Sequence, residues 1–349
     1  MDKTLIIGDC HFQNLYPSLN YLQKQFHTIY QILEIEKPRN IIFLGDIFHF
    51  RKPDPETVIE VYRFFSKLGV SLPGLSTIYL MRGNHDTASK TDEAIVTMLN
   101  IFDSKHTWSK IKVIERPVSY MFGENCFNFI PHYDDENIIL SHLQNIVTHH
   151  KNTFVFGHFG FKGCLNPNGD EDCPLTLDVF KYPTFLGHIH KKQDEGNVHV
   201  VGTPYSTSFS EADNQHRYGI IYKNGTYEFK PITFGIRYLQ FDLHSLEANK
   251  DFINDPKNYS TILRVYLNQI LDINSVDLRK KIMLEYNVKY VDIKYLPMFD
   301  DDTIHSSYSP NNMVFEVTDE IINNYLAEAK TEISKELLLE GLSLLKDDQ

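Results

Sequence analysis

Short apolar runs that stop at a glycine and a polar side chain recur through the first 222 residues. "TLIIGDCH" ends on Asp9 and His11, and "IIFLGD" on Asp46. "TIYLMRGNHD" ends on Asn84, His85 and Asp86, "TFVFGH" on His158, and "TFLGHIH" on His188 and His190. Runs of four or five β-branched and aromatic residues bounded by glycine predict buried strands. Residues 18–36 and 55–68 carry apolar positions at helical spacing, among them Val58, Val61, Phe64, Phe65 and Leu68. Strands alternating with helices predict an α/β layered fold. In such folds the polar residues just past the strand ends meet in one crevice. The five loops are therefore expected to converge.

The pattern changes further on. Asn224-Gly225 is a hairpin signal, with an exit strand after it. From about residue 234, Leu239, Phe241 and Leu243 alternate, followed by "TILRVYL", a helix-like "VDLRKKIMLEY" and "VKYVDIKYL". These predict a small α+β unit with no glycine-terminated strands. From Thr318 onward, Ile321, Ile322, Tyr325, Leu326, Ala329, Ile333, Leu337 and Leu338 repeat at helical spacing. No internal repeat or low-complexity tract is present. The expected division is 1–233, 234–305 and 306–349.

With 349 residues and 42% hydrophobic composition, the chain has enough material for a sizeable core. The net charge of −12 is unlike that of a bare nucleic-acid binder. If the chain handles nucleic acid, bound cations and a basic patch or partner must offset that charge. Cys10, Cys126, Cys164 and Cys173 form no C-x-x-C pair, which favours reduced thiols, although Cys164 and Cys173 flank one polar loop and could bridge. No signal peptide or membrane span is expected, so the reading is cytoplasmic, in a host's cytoplasm if the chain is phage-encoded.

Taken singly, each strand ending is compatible with a turn. Five in order point to metal ligation by Asp9, His11, Asp46, Asn84, His158, His188 and His190. This mixed oxygen and nitrogen set suits Mn, Fe or Zn better than Mg or Ca. Seven ligands exceed the need of one catalytic ion with an open position. They suit two ions sharing a bridging carboxylate, an arrangement that activates water and clamps an in-line displacement at phosphorus. No serine or cysteine in an activating motif is then needed. His85, beside Asn84, could stabilise the phosphorus transition state or protonate the leaving oxygen. Histidine ligation also implies that metal affinity falls below roughly pH 6.

"GDCH", "GDIF", "GNHD", "GHFG" and "GHIH", in this order over residues 4–190, resemble the calcineurin-like metallophosphoesterase superfamily. The resemblance implies a β-sandwich flanked by helices and a dinuclear centre. Asp9, His11, Asp46 and His190 would hold one metal, and Asp46, Asn84, His158 and His188 the other, with Asp46 bridging. His85 matches the family's transition-state histidine. "VGTPYSTSFSEADNQHRYGIIY" is similar to the G-[ST]-P…S-F-x-E block of the SbcD-type DNA double-strand-break nucleases, and the modest length is similar to their phage versions. The layout after 234 is similar to that group's capping domain and ATPase-docking tail.

This resemblance implies an exonuclease on double-stranded ends and an endonuclease on single strands or hairpins, with Mn2+ as the expected ion. The implied partners are DNA and an SbcC-type coiled-coil ABC ATPase, with a homodimer inside a heterotetramer. His49 would face the DNA, although many bacterial members carry Asp there and the alternative is a histidine supporting a ligand. Phe12 departs from the frequent Leu-Gly without touching a ligand. Arg51 and Lys52 are candidate phosphate contacts or a solvated helix entry. His132 either lines the cleft or is structural. His149, His150 and His216 read as surface residues. "RKKIMLEY" is either a DNA support or an ordinary charged helix face. A small-molecule phosphodiesterase or phosphatase of the same superfamily remains the alternative.

Overall fold

Alternate residues of the first strands face two different cores. In the computed structural model, β1 (Thr4–Ile7), β2 (Asn40–Phe43), β3 (Thr77–Met81) and β4 (Ile111–Ile114) run parallel, with Ile6 opposite Ile42 and Ile42 opposite Tyr79. Leu5, Ile7, Ile41, Phe43, Ile78 and Leu80 pack against α1 (Tyr21–Glu36) and α2 (Pro55–Ser71). Ile6, Ile42, Leu44, Tyr79 and Met81 pack the other way, onto a second sheet. Burial on both faces explains why these strands read as continuous apolar runs. The structure describes residues 3–88, 97–102, 110–122, 124–146, 152–166, 173–214, 216–267 and 274–295.

The second sheet contains β5 (Val118–Phe122), β6 (Asn125–Ile130), β7 (Asn152–His158), β8 (Thr184–Gly187), β9 (Gln193–Glu195) and β10 (Val198–Val200), in the order β5-β6-β7-β8-β10-β9. Phe127, Phe129, Phe154, Phe156 and Phe185 fill the space between the sheets. On the outer face, Val155, Leu186, Val198 and Val200 pack with Ile139 and Leu143 of α3 (Glu136–Gln144). The antiparallel pair β11 (Arg217–Lys223) and β12 (Thr226–Ile232) completes the first sheet in the order β12-β11-β1-β2-β3-β4. The expected helix-flanked β-sandwich is therefore present as four layers. Asn224 and Gly225 both have positive φ, 53° and 86°, as the hairpin signal requires.

The helices begin where local chemistry dictates. Asp54 accepts from the Thr57 N–H at 2.8 Å, and Pro55 opens α2. α1 starts at Tyr21 rather than at 18, because Pro17–Leu19 forms a short 3-10 turn and Asn20 is left-handed (φ 51°). Beyond the sandwich, β13 (Gly235–Asp242), β14 (Tyr259–Leu267) and β15 (Tyr290–Tyr295) form a parallel sheet. The short α4 (Lys250–Ile253) and the longer α5 (Ser275–Glu285) provide its crossovers. Ile236, Tyr238 and Ile262 share the core of α1, and the Tyr238 hydroxyl meets that of Tyr21 at 3.1 Å.

The helical segment expected over 306–349, and His149 and His150, lie outside the described residues. Among the described residues no helix is long and apolar enough to cross a membrane.

Candidate metal centre

Five strands deliver their polar endings to one place. Past β1 lie Asp9 and His11, past β2 Asp46, past β3 Asn84 and His85, at the end of β7 His158, and past β8 His188 and His190. His11, Asp46 and His188 adopt positive φ, 45°, 47° and 82°. For a residue with a side chain that costs on the order of 1–3 kcal/mol, so the surrounding packing must enforce it. Gly83 shows how tightly the loops meet, since a Cβ there would run into the Asp46 carboxylate and backbone.

Asp46 faces two clusters with its two oxygens. On one side, Oδ1 lies 3.3 Å from His158 Nε2. The Asn84 Oδ1 lies 2.9 Å from that nitrogen and 3.0 Å from His188 Nδ1. On the other side, Oδ2 lies 3.5 Å from His11 Nε2, which is 2.9 Å from His190 Nε2. Asp9 sits behind both, accepting the His188 N–H at 2.9 and 3.1 Å on its two oxygens. All seven sequence-selected candidates are thus within one pocket of contacts.

Donors bound about 2.1 Å from a shared cation lie about 3.0–3.4 Å apart, close to these separations. His11 Nδ1 is buried with no hydrogen-bond partner among the described residues. The mixed nitrogen and oxygen donor set fits a divalent cation of borderline softness. Ligand atoms of Asp9, Asp46 and His158 lie within 4.8 Å of one another, as do those of His11, Asp46 and His85.

Charge is distributed unevenly across the pocket. Burial would raise the Asp46 carboxyl, but His158, then His11 and His85, hold it well below the usual range. Burial dominates at Asp9 and raises it. Burial would lower His158, yet Asp46, Asp9 and the Leu44 carbonyl push it up to about 9. His11 moves the other way, lowered by burial and by the neighbouring His190.

His85 joins the centre differently. Its backbone N–H donates to Asp46 Oδ1 at 2.8 Å, and its ring Nδ1 bonds to the His49 carbonyl oxygen. That bond assigns the proton to Nδ1 and leaves Nε2 to accept or give one. The His11 ring is 5.0 Å from that of His85 and 5.3 Å from that of His49. Burial, then the charge of His85, lowers His49 to about 4. Arg51 is half-buried and bonds to the Thr87 hydroxyl, whereas Lys52 is exposed. His132 has partners for both ring nitrogens, the His158 carbonyl at 3.3 Å and Asp134 at 3.1 Å. His216 is exposed, as read.

Two carboxylates outside the seven ligand candidates brace the pocket. Asp86 accepts three backbone N–H groups, from Gly83 at 2.9 Å, Phe48 at 3.1 Å and Ile47 at 3.3 Å, tying the Asp46 loop to the Asn84 loop. Burial, then the nearby Asp46, raises its carboxyl to about 7. Glu211 accepts from His190 Nδ1 at 2.8 Å and pairs with Arg217. Burial opposes its charge, but His190, followed by Arg217, holds it at about 2. The "GNHD" motif hinted at Asp86, and the "SFSEAD" block contained Glu211 without indicating its partner.

Comparison with known proteins agrees with this geometry. The DNA double-strand break repair protein Mre11 of Nanoarchaeum equitans (strain Kin4-M) is 25% identical over 316 residues, covering 82% of this chain and 83% of that one. The calcineurin-like phosphoesterase family matches residues 3–192, a span that contains every strand ending gathered at Asp46. The chain belongs to that family of metal-dependent phosphoester hydrolases.

Proposed function

We propose that the chain is a DNA nuclease, hydrolysing phosphodiester bonds at double-stranded ends and in single strands or hairpins. The observation that carries this reading is the extent of the likeness to the archaeal repair protein. At 82% of the chain it necessarily runs past residue 192, where the phosphoesterase match stops. A likeness confined to the metal loops would leave the substrate class open.

In this reading Asp9, His11, Asp46 and His190 hold one cation, and Asp46, Asn84, His158 and His188 the other, with Mn2+ the expected ion. When bound, the two cations supply Lewis acidity and lower the pKa of water beside the phosphorus. Asp46 serves both because its two oxygens face opposite clusters. His85 keeps Nδ1 committed to the His49 carbonyl, so a proton carried on Nε2 is available to the leaving oxygen. His49 lines the same side and faces the nucleic acid. Lys52 meets backbone phosphate, and Arg51 reaches it only as far as its bond to Thr87 allows.

The net charge of −12 requires help in holding DNA. An SbcC-type coiled-coil ABC ATPase, docked on residues 306–349, would supply it, with the nuclease as a homodimer in the assembly. The test is a cleavage assay of the purified chain with manganese on end-labelled duplex, single-stranded circle, cyclic AMP and a phosphoserine peptide. Degradation of both DNAs with the small substrates left intact is expected. Turnover of the small substrates with intact DNA would overturn the reading.

A further inference from the structure

The imidazole of His190 is held by a segment that the metal loops do not include. Its Nδ1 lies 2.8 Å from Glu211 Oε1. Glu211 is 1% exposed, and its other oxygen meets Arg217 Nη1 at 2.8 Å and accepts the Thr203 hydroxyl at 3.1 Å. The Thr207 hydroxyl donates to Oε1. Arg217 is itself buried, donating to Ser206 Oγ at 2.9 Å. The same segment fixes the backbone of His190, whose carbonyl accepts the Thr203 N–H at 3.1 Å. Gly202, with φ 78°, leaves no room for a Cβ against that carbonyl.

A carboxylate that accepts the Nδ1 proton sets the tautomer, turns the Nε2 lone pair outward and makes it more basic. Nε2 here points at His11 Nε2, 2.9 Å away. Arg217 balances the buried charge from the far side, so the carboxylate can act as an acceptor without being left unpaired. On the Asn84 side the nearest support of His158 Nδ1 is instead the Leu44 carbonyl at 2.7 Å, with Asp9 Oδ1 farther off at 3.4 Å.

We infer that Glu211, backed by Arg217, is a positioning residue that orients His190 and strengthens the binding of one of the two cations, the one on the His11 side. The inference rests on the two-cation reading above. It gives the residues after "GHIH" a task at the metal centre.

The experiment is an equilibrium titration of the full chain with Mn2+ alone, followed by electron paramagnetic resonance, on wild type and Glu211→Gln. The wild type should bind two ions. In the variant one ion should bind 10–100-fold more weakly with the other unchanged, and the melting temperature should fall because buried Arg217 loses its counter-charge. Two unchanged affinities in a folded variant would overturn the inference. A wild type that binds fewer than two ions would instead sink the two-cation reading, and this inference with it.

If Glu211→Gln does not fold, wild-type protein loaded with Zn2+ alone gives an independent readout. The His190 Nδ1 proton should appear as a protected downfield imidazole resonance. A ring protonated at Nε2 would overturn the inference.

Discussion

On the Asn84 side of Asp46, the imidazole of His158 is fixed by backbone. His158 lies at the end of β7 and donates from Nδ1 to the Leu44 carbonyl, and its side chain is fully buried. On the His11 side, orientation comes from side chains remote in sequence. His11 Nδ1 has no hydrogen-bond partner among the described residues, and His190 depends on Glu211 and Arg217. The His190 side chain is also 22% exposed, and the rings of His49 and His85 gather beside His11. The difference is one of support: a main-chain carbonyl holds His158, whereas a buried carboxylate holds His190.

The harshest way to break this contrast is to remove what both sides share. Asp46→Asn leaves the packing volume intact but deprives both clusters of a charged oxygen. Degradation of end-labelled duplex with Mn2+ should slow by about 10³-fold or more, roughly 4 kcal/mol in the barrier. Both ions should bind more weakly in the same titration. Activity within tenfold of wild type would mean that Asp46 does not join the two sides.

His85→Ala tests the His11 side alone. A proton donor that does not ligate should cost about 10²–10⁴-fold in kcat while the protein still binds two Mn2+ ions. The measurement can fail in an informative way, because His85 lies within ligand distance of His11 and Asp46. Loss of one ion in the variant would make His85 a ligand and dissolve the division of roles.

The same contrast explains what could be read in advance. The ligand candidates of both sides were legible because each follows a glycine-terminated apolar run, and parallel strands place such endings together. The sandwich and both long helices follow from the same periodicity, and the hairpin from Asn224-Gly225. Glu211 was not legible as a brace. It sits 21 residues after His190, and nothing local says which side chain a buried carboxylate will meet. Asp86 was visible as a turn residue, but its three backbone donors come from two different loops. His132 was ambiguous because satisfaction of both ring nitrogens depends on His158 and Asp134 together.

Proton linkage reaches both sides, because Glu211, then Asp9 and Asp46, also raise His190 against its burial. An ordinary histidine ligand would lose metal only below roughly pH 6. His158 is pushed up to about 9 by the Asp46 and Asp9 charges, which outweigh its burial. In the metal-free chain it therefore carries its second proton on Nε2, facing Asn84 Oδ1 at 2.9 Å. A cation must displace that proton, so Mn2+ affinity should rise by about tenfold per pH unit from pH 7 to 8.5. Stability of the metal-free fold has the opposite slope. A folded pKa above the unfolded value of 6.5 stabilises fully below 6.5, and that contribution is lost as pH rises through about 9. Titrations in buffers of different ionisation enthalpy count the released proton, and thermal melts of the metal-free chain follow the loss. A Mn2+ affinity that stays flat from pH 7 to 8.5 would place a neutral His158 in the metal-free centre. The Asn84 side would then hold its ion without proton competition.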